Sequence, residues 1–158
     1  MYTTRVSRHS GAAPAAVYRA LLDPGAIARW RVPDGMSSRV HEFEAREGGA
    51  FRVSLSYDAG DGAGKSGEHT DTYRGRFVRL VPDALVVEEL EFETDDPAMR
   101  GTMTMTTTLT ASADGGTEVA MVHEGVPDAV SPADNEIGAR MALDNLCRYA
   151  ETDLPGGR

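Results

Sequence analysis

His123 is the residue whose chemistry and strand-like setting best suit proton transfer. The segment from Thr117 to Glu124 alternates apolar and polar residues, and His123 falls in phase with Val119 and Met121. Side chains two apart share a face of a sheet, so the imidazole is expected to face the interior, where it can exchange protons near neutral pH. The alternative is a structural histidine that is hydrogen-bonded near the end of the strand.

Two pairs of glutamates in strand-like segments are the candidate partners for such chemistry. We expect alternation to turn one member of the pair Glu42 and Glu44 inward, and one member of the pair Glu89 and Glu91. Burial would raise the pKa of an inward carboxyl group, and we assign Glu89 as the second proton carrier. The alternative for all four is a strand-edge position or an ion pair with a neighbouring arginine.

A row of methionines predicts an adaptable apolar surface on one face of the predicted sheet. Met103 and Met105 alternate with threonines, and Met121 occupies the matching row of the next strand-like segment. Methionine adapts its shape to irregular gaps and to varied guests. The candidate ligand contacts are Trp30, Tyr73, Met103, Met105, Met121, His123, Ala139 and Leu143. Ordinary core packing is the alternative for each of them.

Neither a metal site nor an activated nucleophile is expected. The histidines His9, His41, His69 and His123 are scattered, without the close-spaced cysteines or carboxylates that are typical of metal sites. Cys147 lies among apolar positions of a predicted helix, which favours a buried and unreactive thiol. We therefore predict no metal and no cofactor.

The composition is typical of a single folded domain that does not bind nucleic acid. Of 158 residues, 41% are hydrophobic, and we expect one domain over residues 1–152 followed by a short tail, 153–158. The net charge of -9 repels phosphate backbones and anionic lipid headgroups. No apolar run reaches the ~20 residues that span a bilayer, and the N-terminal residues lack the apolar centre of a signal peptide. A cytoplasmic location without membrane insertion is expected.

Periodicity along the chain predicts the elements that must position these residues. A first strand, Tyr2 to His9, precedes two short helices that begin at Pro14 and Pro24, and strand-like alternation then recurs through the middle of the chain. The segment from Asp134 to Glu151 has the apolar periodicity of a long amphipathic helix. About seven strands and one covering helix indicate an α+β fold in which the helix crosses a curved antiparallel sheet.

Two further segments carry hypotheses. The glycine-rich stretch from Asp58 to Gly67 is too polar to bury and predicts a mobile loop that gates a cavity. Ile137 and Met141 lie away from the main apolar stripe of the terminal helix. They either seat the loop from Gly125 to Val130 or belong to a homodimer surface.

Four stretches together resemble a known family: AAVYRALLDPGAIARW, EFEAREGGAFR, YRGRFVRLVPDALVVEE, and the closing GGTEVAMVHEG with GARMALDNLCRYAE. Their order is similar to that of the START-like (SRPBCC, Bet v 1-like) helix-grip superfamily, and specifically to the activator of Hsp90 ATPase homologue 1-like family. The resemblance implies a deep cavity between the concave sheet and the terminal helix. One departure follows Gly138, where the family often has tryptophan and this chain has Ala139.

The resemblance implies one leading function and two alternatives, since one fold hosts unrelated activities. The leading function is the binding of an apolar or aromatic small molecule, such as a lipid or a polyketide-like compound. The first alternative is a polyketide cyclase, aromatase or hydrolase-like enzyme with His123 and Glu89 as proton carriers. The second alternative is a co-chaperone-like interaction module.

Overall fold

The computed structural model describes residues 1–33, 35–57 and 70–152. The strands in these ranges are β1 (Tyr2–Ser10), β2 (Met36–Phe43), β3 (Ala50–Tyr57), β4 (Thr70–Val81), β5 (Leu85–Phe92), β6 (Met103–Ala111) and β7 (Thr117–Val126). The α-helices are α1 (Pro14–Leu22), α2 (Pro24–Trp30) and α3 (Pro132–Thr152), and a short 3₁₀ helix (Pro97–Met99) precedes β6. The described residues do not include the predicted gate from Asp58 to Gly67. They also do not include His69 or the tail 153–158.

The seven strands of the described chain form one antiparallel sheet in the order β1-β7-β6-β5-β4-β3-β2. Strands β2 to β7 are a meander, and β1 joins beside β7, with Val6 opposite Met121. Register irregularities next to Val40 in β2 and next to Phe77 in β4 bend the strands locally. The predicted α+β fold, a curved antiparallel sheet with a long C-terminal helix, is confirmed.

A serine cap and a proline mark the start of α3. Ser131 Oγ accepts a hydrogen bond from the Asp134 amide at 3.3 Å, and the helix begins at Pro132. The helix is amphipathic, with polar residues between its apolar positions. Among the described helices, none is long and apolar enough to cross a membrane.

Polar side chains attach α3 to β1 at three levels. The donors lie on β1 and the acceptors on α3: Thr4 Oγ1 to Asn135 Oδ1 at 2.6 Å, Arg8 Nη1 to Asp144 Oδ1 at 3.0 Å, and Ser10 Oγ to Glu151 Oε2 at 3.0 Å. One side of the helix is buried in the core through Leu143, Leu146, Cys147 and Ala150. α3 is therefore held over the β1 side of the sheet.

Gly75 in β4 and Gly138 in α3 give a matched test of local packing. A Cβ atom at Gly75 would lie 1.9 Å from the Glu89 carbonyl oxygen and 2.8 Å from Phe51 Cζ, whereas a Cβ atom at Gly138 would meet nothing within 4 Å. Gly75→Ala is expected to lower the free energy of unfolding by at least ~2 kcal/mol, because the backbone must shift. Gly138→Ala is expected to raise it by roughly 0.5–1 kcal/mol, because alanine favours helix.

Urea denaturation followed by circular dichroism measures both changes. A Gly75→Ala protein as stable as the wild type would show that β4 and β5 are not packed as closely as described.

Candidate functional site

A cavity of about 410 Å³ lies between the concave face of the sheet, the end of α2 and one side of α3. Small-molecule pockets typically have a volume of ~300–1,000 Å³. The sheet side of the wall includes Leu55, Tyr73, Leu90, Met103, Met105 and His123. The helical side includes Trp30, Arg31, Pro33, Ile137, Met141 and Ala142. The wall is mainly apolar, with a few polar groups.

The predicted ligand contacts fall into three places. Those that line this cavity are Trp30, Tyr73, Met103, Met105 and His123. Met121 and Ala139 instead line a neighbouring inner cavity of about 30 Å³. Leu143 is 1% exposed and belongs to the core. The prediction of a ligand contact at Leu143 is wrong, because its side of α3 packs against the protein interior.

The second apolar patch of α3 covers the cavity. Ile137 and Met141 both line it, and Ile137 is 60% exposed, which places it where the cavity meets solvent. α3 therefore has two apolar sides, one in the core and one over the cavity. The homodimer hypothesis for this patch stays a prediction.

The end of α2 positions Trp30 and Arg31 in the cavity wall. Trp30 Nε1 donates to the Ala20 carbonyl oxygen at 2.8 Å, which orients the indole. Arg31 Nη1 donates to Glu88 Oε1 at 2.9 Å, and these two side chains are only 17% and 4% exposed. The guanidinium carbon lies 5.9 Å from the ring centroid of Trp30 and 5.4 Å from that of Tyr73. One carboxylate and two aromatic rings thus surround the cation.

This cluster keeps Arg31 charged and Tyr73 neutral. Burial disfavours the charged guanidinium, but attraction to Glu88 and the hydrogen bond between them raise the pKa of Arg31 overall. Burial also raises the pKa of Tyr73, against the opposing effect of the Arg31 charge. The phenol is therefore protonated at neutral pH. Its Oη is buried and has no hydrogen-bond partner among the described residues.

The inward glutamate of β5 is Glu88, which was not among the residues expected from the sequence. Glu88 is 3% exposed and lies in phase with the buried Val86 and Leu90. Glu89 and Glu91 share the opposite face, because residues two apart lie on the same side of a strand. The expectation that one of that pair faces inward is therefore wrong. The signal for Glu88 is present in the sequence, as the apolar residues two positions before and after it.

Ion pairs hold three of the four candidate glutamates outside the cavity. The pairs are Glu89 with Arg76 at 2.9 Å, Glu91 with Arg74 at 2.9 Å, and Glu44 with Arg46 at 3.3 Å. The fourth, Glu42, lines a groove on the outer face of the sheet together with Glu89 and Glu91. The assignment of Glu89 as a proton carrier in the cavity is wrong, because its carboxylate is on the other face of the sheet.

His123 extends from β7 to the cavity as a neutral imidazole. Burial lowers its pKa to about 4, the Arg31 charge acts in the same direction, and a side-chain hydrogen bond with Asn135 opposes them. Asn135 Oδ1 also accepts from Thr4 Oγ1 at 2.6 Å. Within the described part of the chain, the buried Nε2 atom of His123 has no hydrogen-bond partner.

Metal and thiol chemistry find no support in the described ranges. They contain no group of three or more His, Cys, Asp or Glu side chains that could hold a metal ion. Cys147 is buried, and burial raises the pKa of its thiol. A protonated, buried thiol is a poor nucleophile. The arrangement is suited to binding and orienting an apolar molecule that has a few polar groups.

Glu88→Gln and Glu89→Gln compare a buried and an exposed ion pair at neighbouring positions. Removing the Glu88 charge leaves Arg31 buried without its carboxylate, so the free energy of unfolding is expected to fall by about 3 kcal/mol. The side chains of Arg76 and Glu89 are 57% and 38% exposed. Loss of that pair is expected to lower the free energy of unfolding by at most ~1 kcal/mol. Urea denaturation measures both, and equal effects would contradict the described burial of Glu88.

The neutral, buried His123 predicts a loss of stability in mild acid. Its pKa of about 4 in the folded protein lies below the ordinary value of 6.5, so between these values the unfolded chain binds a proton that the folded chain does not. The neutral imidazole therefore makes its full contribution to the free energy of unfolding above pH 6.5. That contribution falls by roughly 3 kcal/mol as the pH is lowered to 4.

Urea denaturation at pH 7 and pH 4.5 tests this titration. The wild type should lose more stability between the two conditions than His123→Gln, which retains every carboxylate. Parallel losses in the two proteins would show that His123 titrates normally.

Comparison with known proteins agrees with this architecture. The chain matches the family model described as Activator of Hsp90 ATPase homolog 1-like protein over residues 11–151. No curated protein matches it. The solved structure of a protein from Chromobacterium violaceum is 33% identical, with a TM-score of 0.84 over 95% of this chain and 97% of that chain. An AHSA1-like protein from Aeromonas hydrophila is 21% identical, with a TM-score of 0.71 over 95% and 92% of the two chains.

A third similar structure is DynU16, from the dynemicin biosynthetic locus. It is 22% identical, with a TM-score of 0.67 over 98% of this chain and 49% of that chain. Identities this low show a shared fold alone. The family match, in contrast, begins just after β1, extends to the last turn of α3 and includes both walls of the cavity. The chain therefore belongs to the activator of Hsp90 ATPase homolog 1-like family.

Proposed function

We propose that this protein binds an apolar or aromatic small molecule in the cavity between the sheet and α3. The observation that carries the proposal is a space of about 410 Å³ with walls of methionine, leucine and aromatic side chains. Small-molecule sites typically combine such walls with a few placed polar groups. DynU16, which shares the fold, comes from a biosynthetic locus, and this agrees with a role in handling a small organic compound.

Two unsatisfied polar atoms support a ligand that has polar as well as apolar surface. Tyr73 Oη and His123 Nε2 are buried and unpartnered among the described residues, and both side chains belong to the cavity wall. A buried polar group without a hydrogen bond costs ~1–3 kcal/mol. Both atoms are closed to the cavity in this structure, so a ligand that recovers part of this cost does so after the wall side chains shift.

Ala142→Phe, with Ala133→Phe as its control, tests the proposal. Ala142 lines both cavities, whereas Ala133 is exposed in the first turn of α3. Quenching of Trp30, the single tryptophan, by the neutral dye Nile red measures binding. Wild type and Ala133→Phe should bind equally, and Ala142→Phe should bind about 10-fold more weakly, because the added ring occupies the site.

Two results would argue against a binding cavity. One is the absence of Nile red binding to the wild type. The other is equal binding to all three proteins, which would place the dye elsewhere on the surface.

An enzyme that uses His123 as a base is the second candidate. The observation that favours it is the unpartnered Nε2 atom in the cavity wall, within the described ranges. A general base works best with a pKa near the operating pH, and the pKa of His123 is about 4. Glu88, the inward carboxylate, is bonded to Arg31 at 2.9 Å. These two features favour binding over acid-base catalysis.

The co-chaperone-like alternative would place function on the outer surface. There, arginine and glutamate side chains pair with one another across the outer face of the sheet. Paired charges offer a partner fewer unsatisfied groups than the cavity offers to a ligand. Binding is therefore the function that these contacts support best.

A further inference from the structure

The inner cavity of about 30 Å³ adjoins the space of about 410 Å³, here called the main cavity. Four residues line both cavities: Trp30, Arg31, Met105 and Ala142. Five described residues line the inner cavity alone: Leu21, Glu88, Thr107, Met121 and Ala139. The first four of these five are at most 5% exposed, so their side of the inner cavity is closed to solvent. A small molecule therefore reaches the inner cavity through the main one.

Met105 lies at the boundary between the two cavities. Met103, Met105 and Thr107 are two residues apart along β6, so they share one face of the strand. Met103 lines the main cavity and Thr107 the inner one, whereas Met105 lines both. The inner cavity thus continues the main cavity along β6.

Met105 is also the most adaptable of the four shared residues. Trp30 is held by its hydrogen bond to a backbone carbonyl of α1 at 2.8 Å, and Arg31 by its ion pair with Glu88. Ala142 has only a methyl group. Met105 is half-buried, and its unbranched thioether side chain has three rotatable bonds that let it adjust to irregular space. Rotation of Met105 is therefore the movement that joins the two cavities.

The inner cavity suits a short, uncharged, apolar group. Six of its nine lining residues are apolar. Its two charged residues, Arg31 and Glu88, are paired with each other at 2.9 Å. One partner of such a pair attracts a further charge and the other repels it, so the pair gives a charged group little advantage. A water-sized group needs ~10–15 Å³ of such space, so about 30 Å³ holds one or two heavy atoms and no longer chain.

We infer that the inner cavity is a specificity subsite for a short alkyl branch of the ligand. The ring system of the ligand occupies the main cavity, and a methyl or ethyl branch passes Met105 into the inner one. This inference rests on the proposed binding function and specifies its ligand class, an apolar ring system with one short alkyl branch. Met105 is the residue that limits the length of the branch.

Naphthalene, 2-methylnaphthalene and 2-propylnaphthalene test the subsite, because they differ only in the length of one branch. Their affinities are measured at pH 7 by displacement of Nile red. The wild type should bind 2-methylnaphthalene about 4-fold more tightly than naphthalene, because one more carbon is buried. 2-Propylnaphthalene should bind no more tightly than 2-methylnaphthalene, because its branch is longer than the inner cavity.

Ala139→Val, with Ala133→Val as its control, blocks the subsite. Ala139 lines the inner cavity and not the main one, whereas Ala133 is exposed in the first turn of α3. Ala139→Val should reduce the affinity ratio of 2-methylnaphthalene to naphthalene to about 1, because the added carbons occupy the place of the branch. Ala133→Val should keep the wild-type ratio. Comparing two ligands on the same protein cancels any general effect of the substitution on stability.

Met105→Ala tests the boundary. Removing the thioether side chain joins the two cavities, so 2-propylnaphthalene should become the tightest of the three ligands, about 4-fold or more above 2-methylnaphthalene. Adding Ala139→Val to Met105→Ala should lower this preference, because valine refills part of the joined space.

The outcomes distinguish this inference from the proposed function. The absence of a methyl gain in the wild type, or an equal gain in Ala139→Val, would overturn the subsite. Tightest binding of 2-propylnaphthalene to the wild type, or an unchanged order in Met105→Ala, would overturn the role of Met105. Failure of all three naphthalenes to displace Nile red would overturn the inference and leave the binding function in place. Failure of Nile red itself to bind would overturn both.

Discussion

The attachment of α3 to β1 is the constraint on which the rest of the structure depends. Three side-chain hydrogen bonds hold the helix over one margin of the sheet, while its core side packs through Leu143 and Leu146. A helix with its side chains is only ~10–12 Å wide, so from this position it covers one side of the cavity without packing down onto β4 and β5. The space above those strands stays open, and the end of α2 closes one side of it. The cavity is thus a consequence of where the helix docks.

The Arg31–Glu88 pair ties the end of α2 to β5, beside the cavity. Removing two charges from water is expensive, and attraction in the interior recovers this cost only with close geometry, here 2.9 Å. The pair therefore contributes more to position than to net stability, because any other placement of α2 would leave a buried charge alone. Arg31 also contacts Trp30 and Tyr73, so the cation sets the relative positions of two aromatic parts of the wall.

The order of elements could be predicted because each leaves a local signal, such as the proline starts of the helices and the alternation of the strands. The side of α3 that lines the cavity could not be predicted, because the helix is apolar on two sides. Only its docking on β1 decides that Leu143 lies in the core and Met141 lines the cavity. The side of the strand on which Glu88 lies was available from its apolar neighbours in β5. Arg31 had no such signal, since its burial depends on a carboxylate 57 residues away along the chain.

The position of β1 beside β7 has a consequence for how the molecule is made. β1 is synthesised before the other six described strands yet pairs with the last of them, as Val6 does with Met121, and it also hydrogen-bonds to α3. At ~5–20 residues per second, synthesis leaves β1 without a partner for roughly 5–20 seconds. Pairings this distant in sequence are slow to form. Until β7 emerges, β1 keeps an unpaired edge, at which a chaperone or another chain can dock.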